Sequence, residues 1–546
     1  MTTTNKVHLP GSVRKPMGGA SILREADQDH VIDVTVYGAG RLHSEHLPDP
    51  EEFSLQGPSK RAYLTTEQVN DLLSAKPEHL AEITEFLEKS GLKVGKREHC
   101  RRSLTATGPI GKFQEAFDTK LSIWQHESGN YRGRTGPLSV PLHLRSKIRG
   151  AFGFDNRRIG YSYARRALSP AMGRSIAAPR PFKATDIANL YSFPAGTDGA
   201  GQTVAILAFN GQIGETGFSA GGGFSEAILR DYFTHALHAS FPAISTVVVQ
   251  GPGNSPNPGD QNDASGEIML DLTMVGATAP GAKIVVYFSE FTEQGWVNVI
   301  NRIVQDHGPT IISCSYGNPE TSRSADPQSI WSNAAIIQAN QAFQMAALKG
   351  VTILAASGDN GSSDGERSTL AHADFPASSP WVTGCGGTRM LASGGKIHES
   401  VWNDGPGSSG GGGVSDLFPL PAYQATIGVP ASVNPGHAIG RGIPDVAGVG
   451  DPNTGVEVPQ LEGGPEVIGG TSAVAPMWAG LIARVNQATG APVGFMNPFL
   501  YKNCATGVLN DIITGNNGRY RAAKGWDACT GLGTPNGDKL VKAFKG

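Results

Sequence analysis

The sequence predicts an α/β protein, a mostly parallel sheet with helices on both faces, preceded by a smaller α+β domain. Three observations lead there. Beyond residue 182, near-continuous apolar runs alternate with helical stretches, the pattern of strands buried on both faces. Before residue 163, strand, helix, strands, helix and strands follow one another in a much shorter span. Between the two, residues 163–181 mix Arg165-Arg166, Leu168-Ser169-Pro170 and Ala177-Ala178-Pro179 without apolar periodicity, which reads as an exposed, cleavable linker.

Taken in order, residues 1–28 are polar and turn-rich and are expected to form a disordered tail. The first domain, 29–162, opens with a strand in which Ile32, Val34 and Val36 alternate with polar positions. A helix over 76–90 places Leu80, Ile83, Phe86 and Leu87 on one face and stops at Gly91. A second helix over 111–117 gathers Ile110, Phe113 and Phe117, and a turn at Glu127-Ser128-Gly129-Asn130 joins two strands of a hairpin. In the second domain, 182–546, strands are predicted over 203–209, 283–288, 310–314 and 351–356. Helices are predicted between them, over 224–237, 266–277, 295–305 and 329–348. The run Gly405–Gly413 reads as a mobile surface loop.

The composition excludes several function classes. A formal net charge of −3 gives no electrostatic reason to expect a nucleic-acid or anionic-membrane partner. No 18-residue apolar segment is present to span a bilayer, and Met1–Arg24 has no apolar stretch of the kind a signal peptide carries. The five cysteines lack C-x-x-C spacing, so neither a zinc site nor a disulfide framework is indicated, and only Cys504 and Cys529 could pair.

The chemistry gathers around Gly469-Gly470-Thr471-Ser472. Two glycines permit a tight turn, and Ser472 stands at the entrance of an apolar run, Ala473–Val485, that reads as a buried helix. A serine there exposes its hydroxyl beside unpaired backbone N–H groups able to receive an oxyanion, although serine is also an ordinary helix cap. Glu267 and Asp271 lie four residues apart, so both carboxylates share one helix face amid Ile268, Met269, Leu270 and Leu272. Like charges at that spacing destabilise a helix, which suits a working pair better than a solvated stripe.

Three segments then combine. Gly266-Glu267-x-x-x-Asp271, Ala356-Ser357-Gly358-Asp359-Asn360-Gly361 and Gly470-Thr471-Ser472-Ala473 resemble, in order and spacing, the sedolisin (serine-carboxyl peptidase) family, most of all its kumamolisin branch. The similarity runs from about residue 182 to the C-terminus, and residues 30–165 resemble the family's propeptide. It implies a subtilisin-like catalytic domain behind an α+β, ferredoxin-like prodomain that acts as an intramolecular inhibitor. It further implies Ser472 as nucleophile, Glu267 as its base, Asp271 orienting Glu267, and protonated Asp359 donating to the oxyanion. Two positions depart from the pattern: Ala208 and Tyr316 stand where the branch extends its acid network with Glu and Trp. The alternatives are a Ser-His-Asp peptidase, with His372 the histidine to watch, and an inactive binding protein on the same scaffold.

The resemblance also implies one structural calcium ion, held by Asp511 and Asp527 through side chains and by Ile512, Ala523 and Gly525 through carbonyls. Protein or peptide substrates, a secreted protein and a monomer complete the expectation. Asp374 is a candidate to meet a basic substrate side chain, or simply a turn cap.

Overall fold

A computed structural model describes residues 5–40, 49–98, 102–167, 181–210, 221–260, 263–320, 331–366, 368–393 and 396–546. Part of the predicted linker, 168–180, lies outside these, as does Cys100.

The N-terminal unit is built on a four-stranded antiparallel sheet in the order Lys93–Glu98, Ser103–Pro109, Val31–Gly38, Ile148–Phe152. The alternation read from the sequence is realised, with Ile32, Val34 and Val36 buried beneath the helices Pro77–Lys89 and Ile110–Phe117. Residues 5–28 of the expected tail are ordered, while 1–4 lie outside the described residues. Lys6–His8 pairs with Ser139–Pro141, and Ser21–Glu25 pairs with Ser122–Gln125. Leu9 and Met17 are buried, and the buried Arg14 guanidinium lies 3.4 Å from Glu293 of the second domain. Polar composition misled here because these strands take their stability from partners more than 90 residues away, not from their own apolar content.

The second domain carries an eight-stranded sheet. Its strands are β1 (Thr203–Asn210), β2 (Ala243–Val248), β3 (Lys283–Glu290), β4 (Ile311–Cys314), β5 (Thr352–Ala356), β6 (Thr383–Ser393), β7 (Lys396–Val401) and β8 (Val446–Val449). The order is β2-β3-β1-β4-β5-β6-β7, with β8 also on β6; every pairing is parallel except β6–β7. In β1, Val204, Ile206 and Ala208 face one core while Ala205, Leu207 and Phe209 face the other, so the strand reads as continuously apolar. Helices α1 (Ala264–Thr278), α2 (Glu293–Gln305), α3 (Asn333–Leu348) and α4 (Thr471–Thr489) cover the faces. Every residue of α1 is buried, and it packs along α4.

Two further readings are corrected. Gly405–Gly413 is not a free surface loop, since Ser409–Gly413 is buried and pinned by backbone bonds from Gly361 to Ser409, Ser409 to Asp359 and Gly411 to Gly358. Cys504 and Cys529 are unpaired thiols, one exposed and one buried.

Candidate active site

Gly470 has φ of +92°, a left-handed conformation that only glycine takes without strain, and it turns the chain from Glu466–Gly469 into α4. Ser472 therefore sits in the first turn, its Oγ donating to Glu267 Oε2 at 2.8 Å and lying 3.1 Å from the Ser315 carbonyl oxygen. The helix also contains Pro476, which has no N–H to offer the Ser472 carbonyl four residues back. Ser315 Oγ lies 3.4 Å from that carbonyl and donates to Asp271 Oδ1 at 2.6 Å.

Glu267 and Asp271, one turn apart on α1, are fully buried. Glu267 Oε1 and Asp271 Oδ2 have no hydrogen-bond partner within the protein. Two buried carboxylate oxygens in that state are costly, and a proton held by the pair relieves both. Burial pushes both carboxyls up, Asp271 further because Glu267's charge is beside it; the Ser162 and Ser472 hydroxyls pull Glu267 the other way. Two interacting carboxyls of this kind lose their protons in steps that belong to the pair, not to either residue alone.

Asp359 follows β5 through Gly358, whose φ is +100°. Its Oδ1 accepts from the Thr471 N–H at 2.8 Å and the Thr471 hydroxyl at 2.7 Å. Its Oδ2 accepts no hydrogen bond, and Arg165 Nε lies 3.5 Å away. Burial pushes this carboxyl up to about 6, against the opposing pull of Arg165 and the Thr471 donors. Ser472, Glu267, Asp271 and Asp359, far apart in sequence, thus meet in one buried cluster.

The cover of that cluster is what the sequence reading missed. Residues 161–166, assigned there to the end of the first domain and an exposed linker, lie extended through the cleft. Tyr161–Ser162 pairs antiparallel with Tyr316–Pro319, and Arg165–Arg166 with Glu466–Gly469. Ser162 Oγ and the Ala164 N–H both donate to Glu267 Oε2, and the buried Tyr163 hydroxyl donates to Asp374. The partners of Tyr161–Ser162 lie about 155 positions away and those of Arg165–Arg166 about 300, so the segment leaves no local trace.

The rival histidine is elsewhere: His372 Nε2 lies 2.8 Å from Ser368 Oγ, while the Ser472 hydroxyl meets only Glu267 and the Ser315 carbonyl. Ala208 is buried in β1. Tyr316 packs edge-on to Phe209 and Phe291, its hydroxyl buried without a partner.

At the second site, Asp511 Oδ2 accepts from Gly525 N at 2.9 Å, and Asp527 Oδ2 from Ala523 N at 3.1 Å. Both carboxylates therefore meet the same short loop. Among the described residues no group of three or more His, Cys, Asp or Glu side chains could hold a metal, so any ion here needs backbone carbonyls. Two carboxylates and carbonyl oxygens suit a hard cation such as calcium. Burial pushes the Asp527 carboxyl up, a penalty on its charged form that a cation would offset.

Residues 42–157 match the family described as Pro-kumamolisin, activation domain, and residues 245–498 match the Subtilase family. The chain is 43% identical to kumamolisin of Bacillus sp. (strain MN-32), over 98% of this chain and 96% of that protein. It is 26% identical to tripeptidyl-peptidase sed5 of Aspergillus fumigatus, over 98% and 97% of the two chains. Among solved structures, Pseudomonas sedolisin, a serine-carboxyl proteinase complexed with pseudo-iodotyrostatin, superposes with a TM-score of 0.57 at 25% identity, covering 66% of this chain and 97% of that one. With an activation domain ahead of a subtilase-type peptidase domain and near full-length similarity to kumamolisin, the chain belongs to the sedolisin family of serine peptidases, in zymogen form.

Proposed function

We propose that this zymogen is an acid-acting endopeptidase in which Ser472 attacks the peptide carbonyl and Glu267 serves as its base. The observation that carries this is the 2.8 Å hydrogen bond from Ser472 Oγ to Glu267 Oε2, made in full burial. Glu267 takes the serine proton as Oγ bonds to the carbonyl carbon, then returns it to the departing amine, as imidazole does in the Ser-His-Asp arrangement. Asp271 is a positioning residue: Ser315 fixes its Oδ1, and Glu267's charge beside it raises the Asp271 carboxyl, so that Asp271 holds the pair's proton and leaves the charge on Glu267. Asp359, anchored through Oδ1 by Thr471, keeps Oδ2 for a proton that it donates to the oxygen on which negative charge develops.

The prosegment fills the cleft as an extended chain, so substrates are unfolded or extended protein bound the same way, by antiparallel pairing on both sides of Ser472. Calcium would be held by Asp511, Asp527 and the carbonyls of Ile512, Ala523 and Gly525, where it would tie the C-terminal segment together and take no part in catalysis. Secretion and a monomeric state belong to the same reading. Among the described residues, no helix is long and apolar enough to cross a membrane.

The test is casein hydrolysis at pH 4 by acid-treated protein. Ser472→Ala should show none, and Glu267→Ala should lose at least about 10²-fold, the usual contribution of a general base. Turnover by Ser472→Ala at the parent rate would overturn the assignment, and so would loss of activity in His372→Ala with Glu267→Ala unaffected.

A further inference from the structure

We propose that the peptidase domain carries a second recognition site for its prodomain, at the end of the sheet away from the catalytic cluster, which takes an extended Arg-x-Tyr segment and holds the prodomain independently of the cleft. In this chain the occupant is Arg61-Ala62-Tyr63-Leu64.

Two glycines make the site. Gly350 ends α3 with φ of +75°, and Gly494 follows α4 with φ of +52°. The Tyr63 ring lies between them. A Cβ on Gly350 would stand 2.5 Å from that ring, which supplies all three of its nearest atoms, and a Cβ on Gly494 would reach Tyr63 Cζ at 2.7 Å. Tyr63 Oη lies 3.4 Å from the Pro492 carbonyl oxygen and 3.2 Å from Arg61 Nη1.

Arg61 is buried against the same wall. Its Nη1 also donates to the Val493 carbonyl, while Nη2 and Nε hold the prodomain's own Ser54 and Gln56 carbonyls at 2.7 and 2.9 Å. The guanidinium carbon sits 5.9 and 6.0 Å from the ring centres of Phe499 and Phe544, which stack on each other at 4.3 Å. Ala62 is exposed, so the segment turns alternate side chains to the peptidase domain, as an extended peptide does. The Leu64 N–H donates to the Leu348 carbonyl at 2.9 Å, one of the acceptors that the end of α3 leaves open. An aromatic ring seated between backbone walls, with an arginine beside it, has the composition of the residues that dominate binding between proteins.

The site is separate from the cleft. Ser472 stands in the first turn of α4, whose 19 residues span about 28 Å at 1.5 Å each, and Gly494 lies beyond the other end. Gly350 precedes β5, and Asp359 follows it. A strand leaving the cleft thus disturbs neither glycine, and a ring leaving the slot disturbs neither Glu267 nor Asp359. Gly350 also stops α3, its N–H on the Ala347 carbonyl and that of Val351 on Ala346. That role accounts for its φ but not for the open space in which the ring lies, and asparagine serves it too.

The test uses Ser472→Ala protein in which a site for a sequence-specific protease replaces residues 170–176, cut at pH 7.5 and held by a C-terminal tag while the N-terminal piece washes off. Tyr63→Ala should release that piece at least about tenfold faster than the parent, the loss expected of a buried aromatic anchor. Gly350→Asn, which keeps the stop of α3 but closes the slot, should do the same from the other side of the contact, and the two together should be no faster than either alone. Tyr63→Phe, which keeps the ring, should stay closer to the parent. In the uncut chains, hydrogen exchange in Tyr63→Ala should quicken at residues 346–352 and 491–496 and stay at parental rates at Tyr316–Pro319. Release of Gly350→Asn at the parental rate would make Gly350 a helix stop only and overturn the slot, and so would effects of Tyr63→Ala and Gly350→Asn that add in full. Quickened exchange at Tyr316–Pro319 would overturn independence from the cleft. None of these outcomes depends on catalysis, so failure of the proposed peptidase mechanism would leave them intact.

Discussion

Thr471 grips Asp359 twice at the same oxygen, through its N–H at 2.8 Å and its hydroxyl at 2.7 Å. Oδ1 is thereby committed as an acceptor, and any proton on this carboxyl belongs on Oδ2, which accepts no hydrogen bond. Thr471, read from the sequence only as part of a turn, would thus fix which oxygen donates in the proposed mechanism.

The pH profile follows from that geometry. In the proposed mechanism Asp359 acts protonated, and burial holds its carboxyl up to about 6, so activity should fall as pH rises through that value. The Glu267–Asp271 pair must bear one negative charge, so activity should fall again at the acid end, where the pair takes a second proton. Casein hydrolysis should therefore peak in acid and fade by neutrality. Asp359→Asn should lower the rate and flatten the alkaline fall, because an amide donor does not titrate; an unchanged alkaline limb would exclude Asp359 as the limiting acid.

Asp271 acts through Glu267, and its test is a displaced profile, not just a lower rate. Glu267's charge beside it raises the Asp271 carboxyl, so the pair's proton rests on Asp271, and Asp271→Asn, which keeps the shape without the titrating proton, should displace the acid limb of kcat/KM. Removing its anchor with Ser315→Ala should lower kcat more than it raises KM. A pure KM effect in both variants would make the pair a substrate-binding feature.

A second acid pair lies beneath the Tyr163 side chain. Asp364 and Asp374 are buried, and burial first, then each other's charge for Asp374, pushes both carboxyls well above the usual range. A raised carboxyl ionises more readily in the unfolded chain, so it costs nothing below about pH 4 and costs stability increasingly as pH rises toward its folded value. In an uncut Ser472→Ala background, Asp364→Asn should melt a few degrees higher than its parent at pH 7.5 and alongside it at pH 4. Equal melting at both values would mean that the pair holds no unfavourable charge at neutral pH.

Much of this was legible in the sequence because it is local. Glu267 and Asp271 announce a shared face through their spacing, Gly470 and Ser472 announce a turn into a helix, and β1 shows two-sided burial in an unbroken apolar run. The short edge strand Ala243–Val248 is mostly exposed, with Ser245 and Thr246 in its middle, and left no such pattern. The same limit hid the cleft-bound prosegment: Ser162, Ala164 and Arg165 acquire their roles from Glu267 and Asp359, which lie more than 100 and nearly 200 residues further on. Gly405–Gly413 looked free because glycine-rich composition cannot distinguish a mobile loop from one packed too closely to admit a Cβ; at Gly411 a Cβ would meet the Ser357 carbonyl.

Calcium gives the last prediction. Asp527 Oδ1 accepts from the N–H groups of Cys529 and Thr530 at 2.9 Å each, which holds the turn after Trp526. Asp511 is held only by Gly525 N among the hydrogen bonds of its carboxylate, and it is exposed. An ion bound by both would join the segment 509–517 to the loop 523–527, a link the folded chain has and the unfolded chain lacks, so binding should stabilise by mass action. Chelator should lower the melting temperature of the Ser472→Ala protein, and added calcium should restore it in proportion to the logarithm of its concentration. Asp511→Ala should melt low with or without chelator while keeping its fold, since no core residue is disturbed. Should Asp511→Ala melt like its parent under both conditions, the two aspartates are turn residues and the C-terminal segment is held by its hydrogen bonds alone.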